Sequence, residues 1–561
     1  MLRSATLASL LLVADIVSAT SRPQDPPTVH LSSGTIQGNT CKHTPVKQFQ
    51  GIPYAHPPVG YRRFMPPELF NGRYPNGHLD ATKPPSACIQ WGSAFDVTDT
   101  PLSEDCLYLD VYVPQHATSK SSLPVKVFAY GGGNDGGAIT YPLYDSCNLA
   151  TDAIVVKFNY RLGPLGFLAL PDAGIRGNMA IQDYLAALTW VKHNIKAFGG
   201  DSTKVMLFGQ SAGADDTFVV STLPEAKHLI SAAVMESGGG QDVALYKTAT
   251  YTGKSFAKTL NCRSDDLCCL QSKSVKELIK AHSQTPALLD PTTNGGLLAT
   301  VLGVDLPNIT SLDASVLDGE IIKHQPLSVG SQVPIIVGQN ELDSSLLTLP
   351  VYFSSSSNVL TSSNYTDFLS QWGPSYSSSI SKAYPLSLFN TTGSTSFAVV
   401  AAITHITTVS SFICPGYKAL RAAKAPAYAY RFNRTLSCSW LDEDAQPFPS
   451  AELAPFFGST HTAELPFVFG NMDNQPFGNG TCSASKQDRS ISASMIAAWT
   501  ALAERGNPET KSVKWPRFDA HSNRGVYIQD SIAPAELDFT ECEFWDQIWA
   551  AMGGVKFGPV A

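Results

Sequence analysis

A short apolar run leads directly into a turn that only small residues can form. Of all the features of the sequence, this junction most narrowly restricts the folds that the chain can adopt. Val205–Phe208 has the length and composition of a buried strand, and residues 209–213 read Gly-Gln-Ser-Ala-Gly. A tight turn between a strand and the helix after it needs neighbours without bulk, and it holds its central serine above the sheet edge. The pattern predicts an α/β fold in which Ser211 lies at a helix N-terminus, whose amides stabilise developing negative charge.

Strand and helix patterns alternate around this junction. Val125–Ala129 and Ala153–Asn159 are apolar runs typical of buried strands in a largely parallel sheet. Ile181–Ala197 has helical periodicity and is followed by two glycines that end it. No repeat or shift in composition divides residues 20–561. We therefore expect one domain with insertions, built on a large, mostly parallel sheet flanked by helices.

The first 19 residues have the organisation of a secretory signal peptide. Arg3 precedes an apolar stretch at 7–13, and the small residues Val17 and Ala19 predict cleavage after Ala19. The alternative is a buried N-terminal helix. Eleven cysteines suit an oxidising compartment, and their odd number leaves at least one thiol unpaired within the chain. Five sequons predict surface glycosylation of a secreted, extracellular protein: Asn308, Asn364, Asn390, Asn433 and Asn479.

Charge and hydropathy exclude several other classes. The net charge is −8, the sequence pI is about 5.8 and the chain has no long basic run, so we expect no nucleic-acid partner. No segment after the signal peptide has 18 uninterrupted apolar residues, and the C-terminus lacks the apolar tail of a lipid-anchor signal. We expect no membrane anchor. The sequence gives no indication of the oligomeric state.

Three consecutive glycines follow the strand Val125–Ala129, one crossover upstream of the serine turn. Such a loop can turn its amides toward a substrate oxygen with no side chain in the way. The predicted oxyanion hole consists of the amides of Gly132, Gly133 and Ala212, the residue after Ser211. The alternative is a flexible surface loop. The order of the two motifs along the chain favours the oxyanion hole.

Several more segments carry a family resemblance. They read Phe-Gln-Gly-Ile-Pro-Tyr-Ala at 49–55, Glu-Asp-Cys-Leu-Tyr-Leu at 104–109, Asn-Tyr-Arg-Leu-Gly at 159–163 and Phe-Gly-Gly-Asp at 198–201. Together with the serine motif they resemble the type-B carboxylesterase/lipase family, the cholinesterase-like branch of the α/β hydrolases, and most of all its fungal secreted members. The resemblance implies an α/β-hydrolase fold over nearly the whole mature chain. It also implies serine carboxylic ester hydrolysis without a metal or organic cofactor.

The family order of the catalytic groups is serine, acid, histidine. His461 begins the stretch His-Thr-Ala-Glu-Leu-Pro-Phe-Val-Phe-Gly, which resembles the family's histidine segment, so we predict that it is the general base. The predicted strand Pro334–Val337 precedes the acid, and alignment from the glycine after it favours Asp343 over Glu341. Ser237 matches a family serine that supports the acid.

Three departures from the family pattern bear on substrate choice. Gln210 stands where the family most often has Glu, which makes cationic alcohol groups less suitable. Asn134 replaces a common aromatic residue. Asp215 and Asp216 fall in the first turn of the helix after Ser211, where acids complement the helix dipole. Alternatively, they reach the pocket floor and disfavour acidic substrates.

The resemblance also implies which cysteines form disulfides and which charged side chains form ion pairs. It implies the three disulfides Cys88–Cys106, Cys262–Cys269 and Cys414–Cys542, with Cys268 as an alternative to Cys269. Cys438 with Cys482 is a candidate fourth pair, and Cys41 and Cys147 remain unassigned. Arg63 with Glu104, and Arg161 with Asp183, resemble structural ion pairs of the family.

The loop between Cys88 and Cys106 holds only 17 residues, whereas family lipases have a long amphipathic lid there. The short loop favours a soluble small-molecule ester as substrate. We expect a secreted esterase for small to medium uncharged esters, acting in fungal nutrient use or secondary metabolism. The alternatives are an extracellular lipase or sterol esterase and a non-catalytic cholinesterase-like binding protein.

Overall fold

The computed structural model describes residues 25–93, 96–97, 99–285, 312–352, 359–370, 372–436, 438, 458–473 and 483–551. The predicted signal peptide at 1–19, the sequons at Asn308 and Asn479, and Cys482 lie outside these residues.

One 11-stranded sheet forms the centre of the described structure, in the order β18-β17-β16-β15-β12-β11-β7-β8-β6-β4-β3. The strands from β17 to β8 are parallel to their neighbours, and antiparallel pairs complete both edges. The described residues contain 18 strands in all, including those of three smaller sheets: β1 (Thr28–Leu31), β2 (Gly34–Gln37), β3 (Asn39–Thr40), β4 (Val46–Pro53), β5 (His78–Asp80), β6 (Tyr108–Pro114), β7 (Leu123–Ala129), β8 (Ile154–Phe158), β9 (Ala169–Leu170), β10 (Ile175–Arg176), β11 (Gly200–Gln210), β12 (Ala232–Glu236), β13 (Ala244–Leu245), β14 (Val316–Leu317), β15 (Ile335–Asn340), β16 (Ala427–Phe432), β17 (Arg524–Ile528) and β18 (Ile532–Glu536).

Helices connect these strands and flank the sheet. The helices are α1 (Gly163–Phe167), α2 (Met179–Asn194), α3 (Ala212–Thr222), α4 (Ala226–Leu229), α5 (Tyr246–Thr259), α6 (Leu267–Ser272), α7 (Val275–Gln284), α8 (Pro326–Val329), α9 (Ser345–Tyr352), α10 (Ser362–Ser370), α11 (Gly373–Ala383), α12 (Thr395–Thr408), α13 (Cys414–Ala422), α14 (Leu465–Phe469), α15 (Lys486–Arg505) and α16 (Cys542–Ala551). Short 3₁₀ helices occur at Gly60–Arg62, Pro75–Gly77, Pro142–Tyr144, Leu149–Thr151, Pro171–Ala173, Ile195–Phe198 and Leu386–Leu388, and a π-helical turn at Val409–Ile413.

The central strands are apolar because both faces of a parallel sheet are covered. Every residue of β8, β12, β15 and β16 is buried. Two lysines interrupt these apolar surroundings, and each has partners. Lys126 Nζ lies 3.2 Å from Asp152, and Lys157 Nζ donates to the carbonyl oxygens of Ile139 and Tyr144. Their ammonium groups are therefore paired although the lysines are buried, as buried charges require.

Cross-links fasten the segments around the sheet. The structure contains Cys88–Cys106, Cys262–Cys269 and Cys414–Cys542, as the resemblance implied, and it also joins Cys41 to Cys147. Cys438 is disulfide-bonded, and Cys268 is an exposed free thiol. Both implied ion pairs are bidentate: Arg63 bonds Glu104 at 2.6 Å, and Arg161 bonds Asp183 at 2.7 and 2.8 Å.

A continuous helical segment, Thr395–Ala422, comprises α12, the π-helical turn and α13. It is the one helix of the described residues that is long and apolar enough to cross a membrane, and 83% of its most apolar window is buried. Such burial is typical of a core helix, and this segment supplies a side chain to the site described next.

Candidate active site

Ser211 lies on a strained turn between β11 and α3. Its backbone has φ 57° and ψ −130°, a combination that residues with a side chain rarely adopt. The turn is held because Ser211 N donates to Glu236 O at 2.9 Å, at the end of the neighbouring strand β12. The side chain is half-buried while the residues around it are buried. The fold therefore presents this hydroxyl at the carboxyl edge of the parallel strands.

The glycines of the motif are required by contacts across this turn. A Cβ at Gly209 would collide with the carbonyl oxygen of Gly213, and one at Gly213 would collide with the carbonyl oxygens of Ala129 and Tyr130. The turn thus packs against the end of β7 with no room for side chains. This close approach explains why a serine on such a turn has glycine two positions before and after it.

His461 and Asp343 form a buried pair beside the serine turn. His461 Nδ1 lies 2.7 Å from Asp343 Oδ1, and only 2% of His461 is exposed. A carboxylate can only accept, so the imidazole donates through Nδ1 and Nε2 is the free ring nitrogen of the neutral form. A carboxylate in this position orients the ring, and it would stabilise the positive charge of a protonated imidazole.

Hydrogen bonds between two loops fix this pair. The backbone amide of Asn340 donates to Asp343 Oδ2 at 2.9 Å. The Asn340 side chain donates to Thr460 O at 2.7 Å and also to Glu464. Ser345 Oγ and the Leu346 amide both bond to Thr460 Oγ1 at 2.7 Å. The acid and the base are thus held in one network, although 118 positions separate them along the chain.

Two further side chains contact the imidazole. Gln210 Nε2 lies 3.0 Å from His461 Nε2, and the Phe412 ring packs on the imidazole with centroids 5.1 Å apart. Within the described part of the chain, Nε2 of His461 bonds to the residue before Ser211 and not to the Ser211 hydroxyl. Sequence reasoning missed both contacts. Phe412 lies in the π-helical turn, a feature often found at functional sites, and the sequence carries no local signal for its contact with the imidazole.

The predicted oxyanion hole faces the same space. Gly132 and Gly133 have φ 112° and 64°, are partly exposed and follow β7, and Ala212 begins α3. None of the described residues accepts a hydrogen bond from these three amides. A Cβ at Gly131 would lie 2.7 Å from Ser211 Cβ, so the glycine loop passes directly against the nucleophile turn. The arrangement leaves backbone donors available to a substrate oxygen.

The structure separates the two candidate acids. The Glu341 side chain is 40% exposed, lies 3.8 Å from Arg431 and accepts from Tyr527 at 3.5 Å. It therefore faces away from His461, which Asp343 contacts directly. Ser237 is fully buried with φ 52°, but its hydroxyl makes no hydrogen bond within the described residues. The contact to Asp343 in this structure comes from the Asn340 amide, where the resemblance implied Ser237.

Several carboxyl groups lie around the site, and burial raises the pKa of three of them, Asp215, Asp216 and Glu464. Burial raises the pKa of Asp215 to about 7, while its Oδ1 accepts from the Gly239 amide at 2.6 Å. Burial, with the neighbouring Asp215, raises the pKa of Asp216 to about 8. Burial, with the Asp343 carboxylate, raises the pKa of Glu464 to about 7. Asp215 thus joins α3 to the loop after β12, and Asp216 accepts from Ser315 at 3.1 Å, deep in the structure.

No metal site accompanies these groups in the described ranges, where no three His, Cys, Asp or Glu residues are placed to hold an ion. The acceptors and donors just described suit acyl transfer from an ester by a serine, a base and an acid.

Comparisons with known proteins agree with this geometry. A family model described as "Carboxylesterase family" matches residues 25–545. The chain is 31% identical to para-nitrobenzyl esterase of Bacillus subtilis (strain 168), over 90% of this chain and 95% of that protein. It is 30% identical to liver carboxylesterase of Sus scrofa, over 97% of each chain. A solved structure titled PNB esterase superposes with a TM-score of 0.72 at 29% identity, covering 93% of this chain and 100% of the other.

These matches confirm the type-B carboxylesterase family that the motifs indicated and the α/β-hydrolase fold that the resemblance implied. They extend over nearly the whole described chain, from the antiparallel edge of the sheet to α16. The chain therefore belongs to the carboxylesterase family, and it is a carboxylic ester hydrolase.

Proposed function

We propose that this carboxylic ester hydrolase acts through an acyl-enzyme on Ser211, with His461 as general base and Asp343 as the acid that orients it. The observation that carries the proposal is the buried 2.7 Å pair of His461 and Asp343 against the strained turn of Ser211. Strain at a residue with a nucleophilic side chain is typical of functional sites, where the surrounding structure maintains it.

Each residue then has a defined step. His461 Nε2 takes the hydroxyl proton of Ser211 as Oγ attacks the ester carbonyl, and the amides of Gly132, Gly133 and Ala212 donate to the oxyanion. The imidazolium returns the proton to the leaving alcohol as the carbon–oxygen bond breaks. Water, deprotonated by the same imidazole, releases the acid and restores the Ser211 hydroxyl.

The proposed substrates are small to medium uncharged esters. The loop between Cys88 and Cys106 is short and closed by a disulfide, so it has little area to form a lid for a lipid surface. Gln210 brings no charge beside the nucleophile, which removes an attraction for cationic alcohols. The para-nitrobenzyl esterase relative bears the name of a small aromatic ester, in line with this class. A lipase or sterol esterase is the second candidate.

We also propose that the enzyme is secreted and glycosylated. The leader-like residues 1–19 and the disulfides support export to an oxidising compartment. Asn390 is exposed and is the best placed of the described sequons. Asn433 is less suitable, since its side-chain amide donates to Tyr527 Oη at 2.8 Å. Membership of a fungal branch, and a role in nutrient use or secondary metabolism, stay predictions from the motifs.

A fluorophosphonate probe with peptide mapping tests the mechanism. The adduct is expected on Ser211, and Ser211→Ala should lose both labelling and ester hydrolysis while it keeps its unfolding midpoint. Labelling at another residue would refute the proposed nucleophile.

A series of p-nitrophenyl esters of increasing acyl length tests the substrate class. Rates should be highest for short chains in solution. A sharp rise in rate when a long-chain ester forms an emulsion would favour the lipase candidate.

A further inference from the structure

The side chain of Gln210 bonds to the ring nitrogen that catalysis needs. Gln210 is buried, and its Nε2 lies 3.0 Å from His461 Nε2. At the other end of the ring, Nδ1 donates its hydrogen to Asp343 Oδ1 at 2.7 Å. In the neutral ring Nε2 therefore carries a lone pair, and the Gln210 amide, which has hydrogens to give, is the donor in this contact.

The proton of the Ser211 hydroxyl has to reach the same lone pair. Gln210 and Ser211, which are adjacent in the chain, thus compete for one acceptor in the free enzyme. A hydrogen bond that requires the neutral form of a group stabilises that form over the charged one. The Gln210 amide therefore opposes protonation of the imidazole before substrate arrives.

The charged groups around the imidazole act in the opposite direction. Asp343 faces Nδ1, Glu464 lies three residues further along the same segment, and Asp215 approaches from α3. All three are acids and favour a protonated ring when they are ionised. Phe412, from the π-helical turn, contacts the imidazole with its ring and adds no charge. Gln210 thus contributes a neutral hydrogen-bond donor to the imidazole, whereas the other polar groups named here are carboxyl groups.

Resting on the proposed triad, we propose that Gln210 is a positioning residue that holds the Nε2 lone pair of His461 ready for the Ser211 proton, by donating to Nε2 until the Ser211 hydroxyl replaces it. The role uses a property of the carboxamide that the carboxylate common at this position in the family lacks. A carboxylate has no hydrogen to donate and only favours the imidazolium.

The glycine loop packs against both side chains. A Cβ at Gly131 would lie 3.0 Å from Gln210 Oε1 and 2.7 Å from Ser211 Cβ. The carboxamide therefore lies with Oε1 beside the loop and Nε2 toward His461, in the orientation that donates to the imidazole.

The test is the pH profile of kcat/KM for Gln210→Met, a neutral side chain of similar length that cannot donate. Hydrolysis of p-nitrophenyl acetate is followed from about pH 4 to about pH 9, at the isosbestic wavelength of the product. Loss of one hydrogen bond to the neutral ring should move the acid limb up by about 0.7 pH unit, which lowers kcat/KM about fivefold on that limb. Gln210→Glu, which also adds a charge, should move the limb further.

The matched control is Gln332→Met, which removes an amide that donates to Gly330 O. The acidic limb of its pH profile of kcat/KM should coincide with that of the unaltered enzyme. An unchanged limb in Gln210→Met, or one displaced to lower pH, overturns the proposal. The pH dependence of the fluorophosphonate labelling rate provides a second readout that needs no turnover. His461→Ala separates the two hypotheses: if it retains normal activity, the triad itself is refuted, whereas an unshifted Gln210→Met refutes the role of Gln210 alone.

Discussion

Replacement of Asp343 by asparagine should reverse the hydrogen bonding of His461 without a change in shape. Asp343 uses both oxygens: Oδ1 accepts from His461 Nδ1 at 2.7 Å and Oδ2 accepts from the Asn340 backbone amide at 2.9 Å. The Asn340 amide can only donate, so the single oxygen of an asparagine will stay with it. The new NH₂ group then faces His461 Nδ1, which has to become the acceptor.

In that tautomer the ring hydrogen sits on Nε2, and the nitrogen that should accept the Ser211 proton has no lone pair. The consequence is a loss of about 10⁴ in kcat, as for the equivalent change in a serine protease triad, which corresponds to about 5 kcal/mol of transition-state stabilisation.

Steady-state hydrolysis of p-nitrophenyl acetate measures the effect, and a thermal unfolding scan checks that the variant is folded. Glu341→Gln is the matched control, because Glu341 is a partly exposed acid two positions away that does not contact the imidazole. Its kcat should stay within about threefold of the unaltered enzyme. Retention of more than a tenth of the activity by Asp343→Asn, or a larger loss in Glu341→Gln, would refute the reasoning.

Three more outcomes are expected. Gly131→Ala places a methyl group 2.7 Å from Ser211 Cβ, so kcat/KM should fall about 10²-fold with a smaller effect on the unfolding midpoint; equal activity would contradict the close approach. Cys41→Ser with Cys147→Ser opens a cross-link that spans 106 positions and should cost about 5 kcal/mol in urea unfolding, against roughly 2 kcal/mol for opening Cys262–Cys269, which spans 7; the reverse order would contradict the loop-length argument. Burial raises the pKa of Glu464 from 4.5 to about 7, so the folded state keeps a proton that the unfolded chain releases, and the free energy of unfolding should fall on the order of 3 kcal/mol as pH rises between these values. Glu464→Gln should flatten that dependence in urea titrations at a series of pH values, and an unaltered slope would exclude Glu464 as its source.

The local parts of the site follow from sequence because a few adjacent residues determine them. A strand, a turn with glycine on both sides of a serine and a helix occur within residues 200–222, and the glycines are needed for contacts inside that unit and with the end of β7. The alignment pointed to Asp343, which contacts His461, and β15 ends at Asn340, which fixes the register of the short loop after it.

The long-range contacts could not be read in this way. The pairing of Gln210 with His461 joins positions 251 apart, and the Cys41–Cys147 disulfide joins β-rich and loop segments with no shared motif. The position of Phe412 depends on one extra residue in a helical turn, which shifts the face that its side chain occupies. Such details depend on how distant segments pack, and neither periodicity nor local spacing carries that information.

The network that holds His461 has a consequence for heat inactivation. The histidine lies in a short turn directly before α14, and its position depends on Asn340, Ser345 and Thr460 rather than on pairing within the sheet. Segments held by a few loop contacts open at a lower free energy than central strands do. Warming should therefore displace the histidine turn reversibly while the strands remain assembled, so that esterase activity disappears several degrees before the global melting transition and returns on cooling.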